Sequence, residues 1–142
     1  EERLVYAGLA GSSVWQMRSS AEFYTVSPCR IFDSRDALLG GPTALAAGTG
    51  TTLNLPGRCG IPPTALAISV NLTVTQPTAL GDLRMYAAAS PLPDTSSINY
   101  SPGQTRANNG VVGLDELGEL AVYCSQSSGT VHFILDVTGY FE

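Results

Sequence analysis

Residues 66–75 read LAISVNLTVT, and this stretch decides the fold class. Leu66, Ile68, Val70, Leu72 and Val74 alternate with Ala67, Ser69, Asn71, Thr73 and Thr75. Successive side chains of a β-strand point to opposite faces, so a period of two puts the aliphatic set on one face. The small and hydroxylated set takes the other face. Near the C-terminus the pattern recurs, with Val131, Phe133, Leu135 and Val137 on one side and His132, Ile134, Asp136 and Thr138 opposite. A chain built on such strands has its core under one face of each.

Weaker strands read outward from these two, at 24–32, 51–55, 82–88, 96–100, 110–114 and 119–124. Turn chemistry separates them at Gly40-Gly41-Pro42, Pro56-Gly57, Ile61-Pro62-Pro63, Gly81-Asp82, Pro102-Gly103, Leu117-Gly118 and Ser128-Gly129. Residues 37–47 are rich in Ala and Leu, but Gly40-Gly41-Pro42 breaks any helix there. No segment holds helical periodicity over three turns. Many short strands at regular spacing predict an all-β fold, an antiparallel β-sandwich of jelly-roll type.

The 142 residues suit one domain with a single core. Charged residues are only 13%, against about 25% in an ordinary soluble domain. A surface of Ser, Thr, Asn, Gln and Gly fits an extracellular or cell-surface protein better than a cytosolic enzyme. The net charge is −5 and the seven basic residues are all Arg, scattered along the chain. Binding of nucleic acid needs clustered positive charge, so it is not expected. Without Lys, neither Schiff-base chemistry nor a Lys–Asn isopeptide crosslink is open to this chain. No run of about 18 apolar residues is present to span a membrane. The start at Glu1, with no cationic and apolar leader, fits a mature form from which a signal peptide has been removed. A chain trimmed at the same point would read alike.

Residues 1–20 differ from the rest and form an N-terminal extension to a sandwich domain over 21–142. Leu4, Tyr6, Leu9, Val14, Trp15 and Met17 make this segment apolar and β-compatible, with Gly8 and Gly11 as soft points. A free tail of that character would be a sticky patch. Two readings follow. The segment packs as the sandwich's own first strand, or it is a donor strand that completes the sheet of a neighbouring molecule.

From Phe23 onward, ordered motifs stand at Pro28–Arg35 (PCRIFDSR), Cys59–Pro62 (CGIP), Ala67–Val74, Ser97–Tyr100, Arg106–Asn109 (RANN) and Asp136–Phe141 (DVTGYF). In these the chain resembles a β-sandwich module common in secreted and cell-surface proteins of environmental bacteria. The resemblance covers about five-sixths of the chain. It implies an extracellular β module and no reaction, and it leaves residues 1–20 outside its pattern.

Cys29 and Cys59 each fall at a strand–turn boundary, and in an oxidising compartment we expect a disulfide between them. Cys124 is then left over, either a buried small side chain or an intermolecular crosslink. Arg30, Asp33, Arg35, Asn108 and Asp136 are expected to form a structural polar network rather than a binding cluster. Asn71, Asn99, Asn108 and Asn109 read as side chains that satisfy backbone groups at bulges and turns. No metal site is expected, because His132 is the only His and no Cys-x-x-Cys occurs. No cofactor is expected either. A Ser–His nucleophile would have to use His132, with no Gly-x-Ser-x-Gly elbow, so no catalytic residue is assigned.

The expected function is therefore structural. The chain reads as a self-assembling subunit of a filament or surface layer, joined head to tail through its N-terminal segment. The alternative is a carbohydrate-binding or adhesion module, with glycans as partners. Against that, Tyr86, Tyr100, Tyr123 and Tyr140 fall on strand positions expected to pack, which leaves Trp15 as the obvious sugar platform.

Overall fold

The computed structural model describes the backbone of residues 3–9 and 12–18 and all of residues 20–142. Eleven strands follow in order: β1 (Arg3–Leu9), β2 (Ser12–Arg18), β3 (Phe23–Asp33), β4 (Leu45–Ala46), β5 (Gly50–Asn54), β6 (Ala67–Thr75), β7 (Gly81–Ala87), β8 (Ile98–Tyr100), β9 (Arg106–Gly113), β10 (Glu119–Gln126) and β11 (Thr130–Phe141). Among the described residues one 3-10 turn, Ala37–Leu39, stands where Gly40-Gly41-Pro42 breaks the Ala/Leu segment.

One sheet runs β3-β11-β6-β9, with the short β4 attached to β11; the other runs β5-β10-β7-β8. Set β1, β2 and β4 aside, and the pairing of the remaining strands is simple. First pairs with last (β3 with β11), second with seventh (β5 with β10), third with sixth (β6 with β9) and fourth with fifth (β7 with β8). That is one long hairpin rolled up into two antiparallel sheets, the jelly-roll topology expected from the sequence.

The core lies where the alternation puts it. Ile68, Val70, Leu72 and Val74 of β6 are buried, as are Val131, Phe133, Leu135 and Val137 of β11. Across from them the second sheet contributes Leu53, Leu83, Leu120, Val122 and Cys124. Each fully buried aliphatic side chain of this kind contributes roughly 1.5–3 kcal/mol. Leu66 departs from the reading: it is 54% exposed, because it precedes the first residue of β6 and sits beside Phe141 at the end of the sheet. The register of β11 on β3 shifts twice, between Leu135 and Asp136 and between Val137 and Gly139. The Phe23 ring lies across Gly139, where a Cβ would come within 2.4 Å of it.

A sandwich has two long seams where the edge strands of its sheets face each other. The seam between β3 and β5 is stapled. Cys29 and Cys59 form a disulfide with their Cα atoms 5.8 Å apart, and Ile61 and Leu55 are buried in the turn beneath. The Arg58 guanidinium donates to the Ile31 carbonyl of β3 and, at 3.5 Å, to the Asn54 carbonyl of β5.

The N-terminal extension forms two strands. β1 and β2 pair antiparallel as a separate sheet, with Leu4 opposite Met17 and Tyr6 opposite Trp15. Among the described residues, neither strand joins a sheet of the sandwich. The side chains of Leu4, Tyr6, Leu9, Val14, Trp15 and Met17 lie outside the described residues.

Candidate functional site

The second seam, between β8 and β9, is closed over only half its length. Arg106 donates to the Asn99 carbonyl at 3.0 Å and Asn108 to the Ser97 carbonyl at 2.9 Å, so side chains of β9 cap the edge of β8. This is edge management without a ladder: the carbonyls are satisfied, yet no strand is added. Past Ser97 the chain leaves β8, and the seam then lies between β7 and β9. Here the Met85 amide of β7 donates to Ser97 Oγ, just before β8 in the same sheet, at 2.8 Å.

In that open stretch the core comes to the surface. Met85, Val112 and Leu114 are half-buried and pack against it, while Val111 is 63% exposed. A groove of about 230 Å3 runs between Met85, Ser97 and residues 108–112. A second hollow of about 550 Å3, lined by Ala87, Ala89, Leu114 and Leu117, continues two residues further along both strands. Gly110 is part of the groove, and a Cβ on it would meet nothing within 4 Å. At Gly113 a Cβ would reach only the Leu66 carbonyl, at 4.0 Å. Glycine inside a strand weakens it and commonly marks a place where another backbone approaches closely. Nothing in the described residues makes that approach.

The polar cluster lies on the other flank, on β3 and β11. Arg30 grips Asp136 with two bonds, Nε to Oδ1 at 2.8 Å and Nη2 to Oδ2 at 3.2 Å, and reaches Asp33 at 3.5 Å. Arg35 binds both oxygens of Asp33, at 2.9 and 2.8 Å, and its amide donates to Oδ1 at 3.0 Å. With its residue only 4% exposed, Asp33 depends on these donors. The Arg35 guanidinium is the main cause holding its carboxyl down at about 2. These ion pairs fix the end of β3 to β11. Asn108, grouped with these residues on sequence, is elsewhere: β9 is the opposite edge of the same sheet, and Asn108 serves the β8 seam instead. Of the other asparagines, Asn71 and Asn99 donate to the hydroxyls of Thr73 and Ser96 rather than to backbone.

One Ser–His contact exists among the described residues. Ser34 Oγ stands 2.9 Å from His132 Nδ1. Ser34 is 1% exposed, and its oxygen already accepts the Phe133 amide at 2.9 Å. A nucleophile needs a free lone pair facing a substrate, and this one faces the sheet. Cys124 is fully buried, with the Tyr100 hydroxyl 3.6 Å from its sulfur, and burial pushes its thiol pKa up. Among the described residues, no group of three potential ligands could hold a metal ion.

The fold and the seam together define a jelly-roll domain with one edge left open. No family model matches the chain, and no curated protein matches it. Among solved structures it is similar to the tobacco streak virus coat protein in a C2 crystal form, at 8% identity and a TM-score of 0.43, over 87% of this chain and 88% of that one. The dimer of the same coat protein aligns at 11% identity and a TM-score of 0.43, over 84% and 85% of the two chains. Likeness at this distance carries no statement about function.

Proposed function

We propose that this chain is a structural, self-associating subunit, in which strand residues from the first 20 of one copy enter the β7–β9 seam of the next. The observation that carries this reading is the groove beside Gly110, where half-buried Met85 and Val112 bring the core to the surface and a Cβ on the glycine would meet nothing within 4 Å. The occupant is a second copy because the chain itself supplies a strand pair in a sheet of its own. An isolated two-stranded hairpin is marginal in water, so such a pair needs a further surface. Each seven-residue strand spans roughly 23 Å, longer than the four-residue stretch Gly110–Gly113.

Strand addition joins main-chain hydrogen bonds to burial of alternate side chains. Burying three large apolar side chains contributes roughly 5–9 kcal/mol, comparable to the roughly 4–15 kcal/mol that association costs. The ladder bonds then decide the balance. Donor and acceptor are different parts of the chain, so the contact is head to tail and leads to a filament unless it closes into a ring. A disulfide-stapled sandwich with few charges suits an extracellular or cell-surface setting, and such a role needs no catalytic residue and no cofactor.

The test is negative-stain electron microscopy of the full chain beside residues 21–142. The shorter chain retains the whole described core, from Ile31 to Val137. Filaments from the full chain alone support the proposal. Filaments from residues 21–142 would contradict it.

A further inference from the structure

The outer face of the β5-β10-β7-β8 sheet carries side chains that the seam does not use. The register sets Asn99, Asp82 and Ser125 in one row across β8, β7 and β10. The next row sets Arg84 beside Tyr123, and Tyr123 in turn beside Gly50 of β5. Tyr123 was expected to pack. It is instead half-exposed on this face, because its strand neighbours Val122 and Cys124 take the inward positions. Its ring lies beside Gly50, where a Cβ would approach it to 3.5 Å, so the glycine leaves the aromatic surface uncrowded.

Asp82, Asn99, Tyr123 and Ser125 line an open cleft of about 490 Å3 together with Leu80 and Gln126. The cleft is held in shape from below. Arg84 Nε donates to Asp82 Oδ1 at 2.9 Å, and its two other nitrogens reach the Pro93 carbonyl at 2.9 Å and Ser125 Oγ at 3.4 Å. The buried Tyr100 hydroxyl donates to Gln126 Oε1 at 2.8 Å, and Gln126 donates onward to the Ser128 carbonyl at 2.7 Å. Among the described residues, Asp82 Oδ2, Asn99 Oδ1 and the Tyr123 hydroxyl have no hydrogen-bond partner. Two acceptors and a hydroxyl thus converge beside an aromatic ring and the exposed Leu80. The pairing of Asp82 with Arg84 leaves no net charge on the floor.

We propose that this cleft is a binding site for a neutral, hydroxyl-rich saccharide, with one sugar face against Tyr123 and its hydroxyls on Asp82, Asn99 and Ser125. A pyranose ring offers an apolar face and a rim of donors, which is the complement of this lining. A phosphate or other anion is disfavoured because the one guanidinium present is already bound to a carboxylate. The site is independent of the seam: it is on the outer face of a sheet, and no residue that forms it lines the groove.

The experiment is saturation-transfer NMR on the full chain with four neutral hexasaccharides (maltohexaose, cellohexaose, chitohexaose and a β-1,3-glucan hexamer) and a heparin hexamer as the acidic control. Binding of at least one neutral hexamer is expected. Tyr123→Ala and Asn99→Ala should each weaken it at least tenfold with thermal unfolding unchanged, and Tyr123→Phe should retain most of it. No saturable binding of any neutral hexamer overturns the proposal. So does binding of heparin alone, or binding that Tyr123→Ala leaves intact.

Discussion

Asn108 on β9 donates to the carbonyl of Ser97, the residue before β8, at 2.9 Å, and this bond marks where the seam between the two sheets stops being closed. On one side of it, Arg106 and Asn108 cap the edge of β8. On the other, Met85, Val112 and Leu114 bring the core to the surface with no strand over them. The functional reading turns on that change.

Gly110→Val should block the groove without harming the fold. Nothing stands within 4 Å of the added Cβ, and the glycine has ordinary strand dihedrals. Replacing a strand glycine should leave stability unchanged or raise it by about 0.5–1 kcal/mol. Chemical denaturation checks the stability, and sedimentation velocity should show loss of the self-associated species.

Asn108→Ala acts on the closed half. It should cost about 0.5–1.5 kcal/mol, the net value of one hydrogen bond, as read from the shift in denaturation midpoint. Self-association should survive, because Met85, Val112 and Leu114, which bring the core to the surface, lie beyond this bond.

Opening the Cys29–Cys59 disulfide should cost more. The bridge closes a span of 30 residues, and the chain-entropy model gives about 3–4 kcal/mol. Paired Cys29→Ser and Cys59→Ser substitution, measured by denaturant unfolding, should show a loss of this size.

Asp33 makes stability depend on pH in the acid range. Its carboxyl titrates near 3.8 in the unfolded chain and at about 2 in the folded one, so the unfolded chain binds the proton more tightly. The contribution is complete above about pH 5 and is lost as pH falls through 3.8 towards 2. Its size is on the order of 1–2 kcal/mol, allowing for solvent screening at Arg30 and Arg35, whose side chains are 43% and 41% exposed. In Asp33→Asn this part of the acid limb should be flat. An unchanged slope between pH 5 and 2 would refute the assignment.

Cys124 should be silent in the native protein. It is fully buried and its thiol is pushed up by burial, so little thiolate forms and none is reached. A disulfide-exchange reagent should label it only as fast as the domain opens. Rapid labelling of the native chain would contradict its placement.

The sandwich was legible in the sequence wherever one face of a strand is buried. β6 and β11 lie in the middle of their sheet, and there the alternation matches the burial over Ala67–Val74 and at Val131, Phe133, Leu135 and Val137, while Ile134 and Thr75 are buried on the other face. Edges were harder. β9 begins at Arg106, four residues before the strand read from the sequence, because Arg106–Asn109 is polar on both faces and shows no alternation. Asn108 does serve a backbone carbonyl, as read, but not within the Arg30–Asp33 cluster, because a polar residue on an edge strand bonds across a seam, and sequence spacing does not encode which strands face each other there. The outward turn of Tyr123 escaped notice for a related reason. The run Leu120–Cys124 is nearly all apolar, so composition did not tell the inward face from the outward one. The glycines of β9 were visible, but the empty space around Gly110 exists only in three dimensions.

The most direct measurement of the central claim is disulfide trapping between two singly substituted full-length chains, one carrying Gly110→Cys and the other Val14→Cys. Oxidation of the mixture should give a crosslinked heterodimer that neither chain alone produces, placing the first 20 residues of one copy in the seam of another. A mixture that yields no heterodimer, while a chain carrying both substitutions closes its bond internally, would contradict it and return the N-terminal strands to their own sandwich.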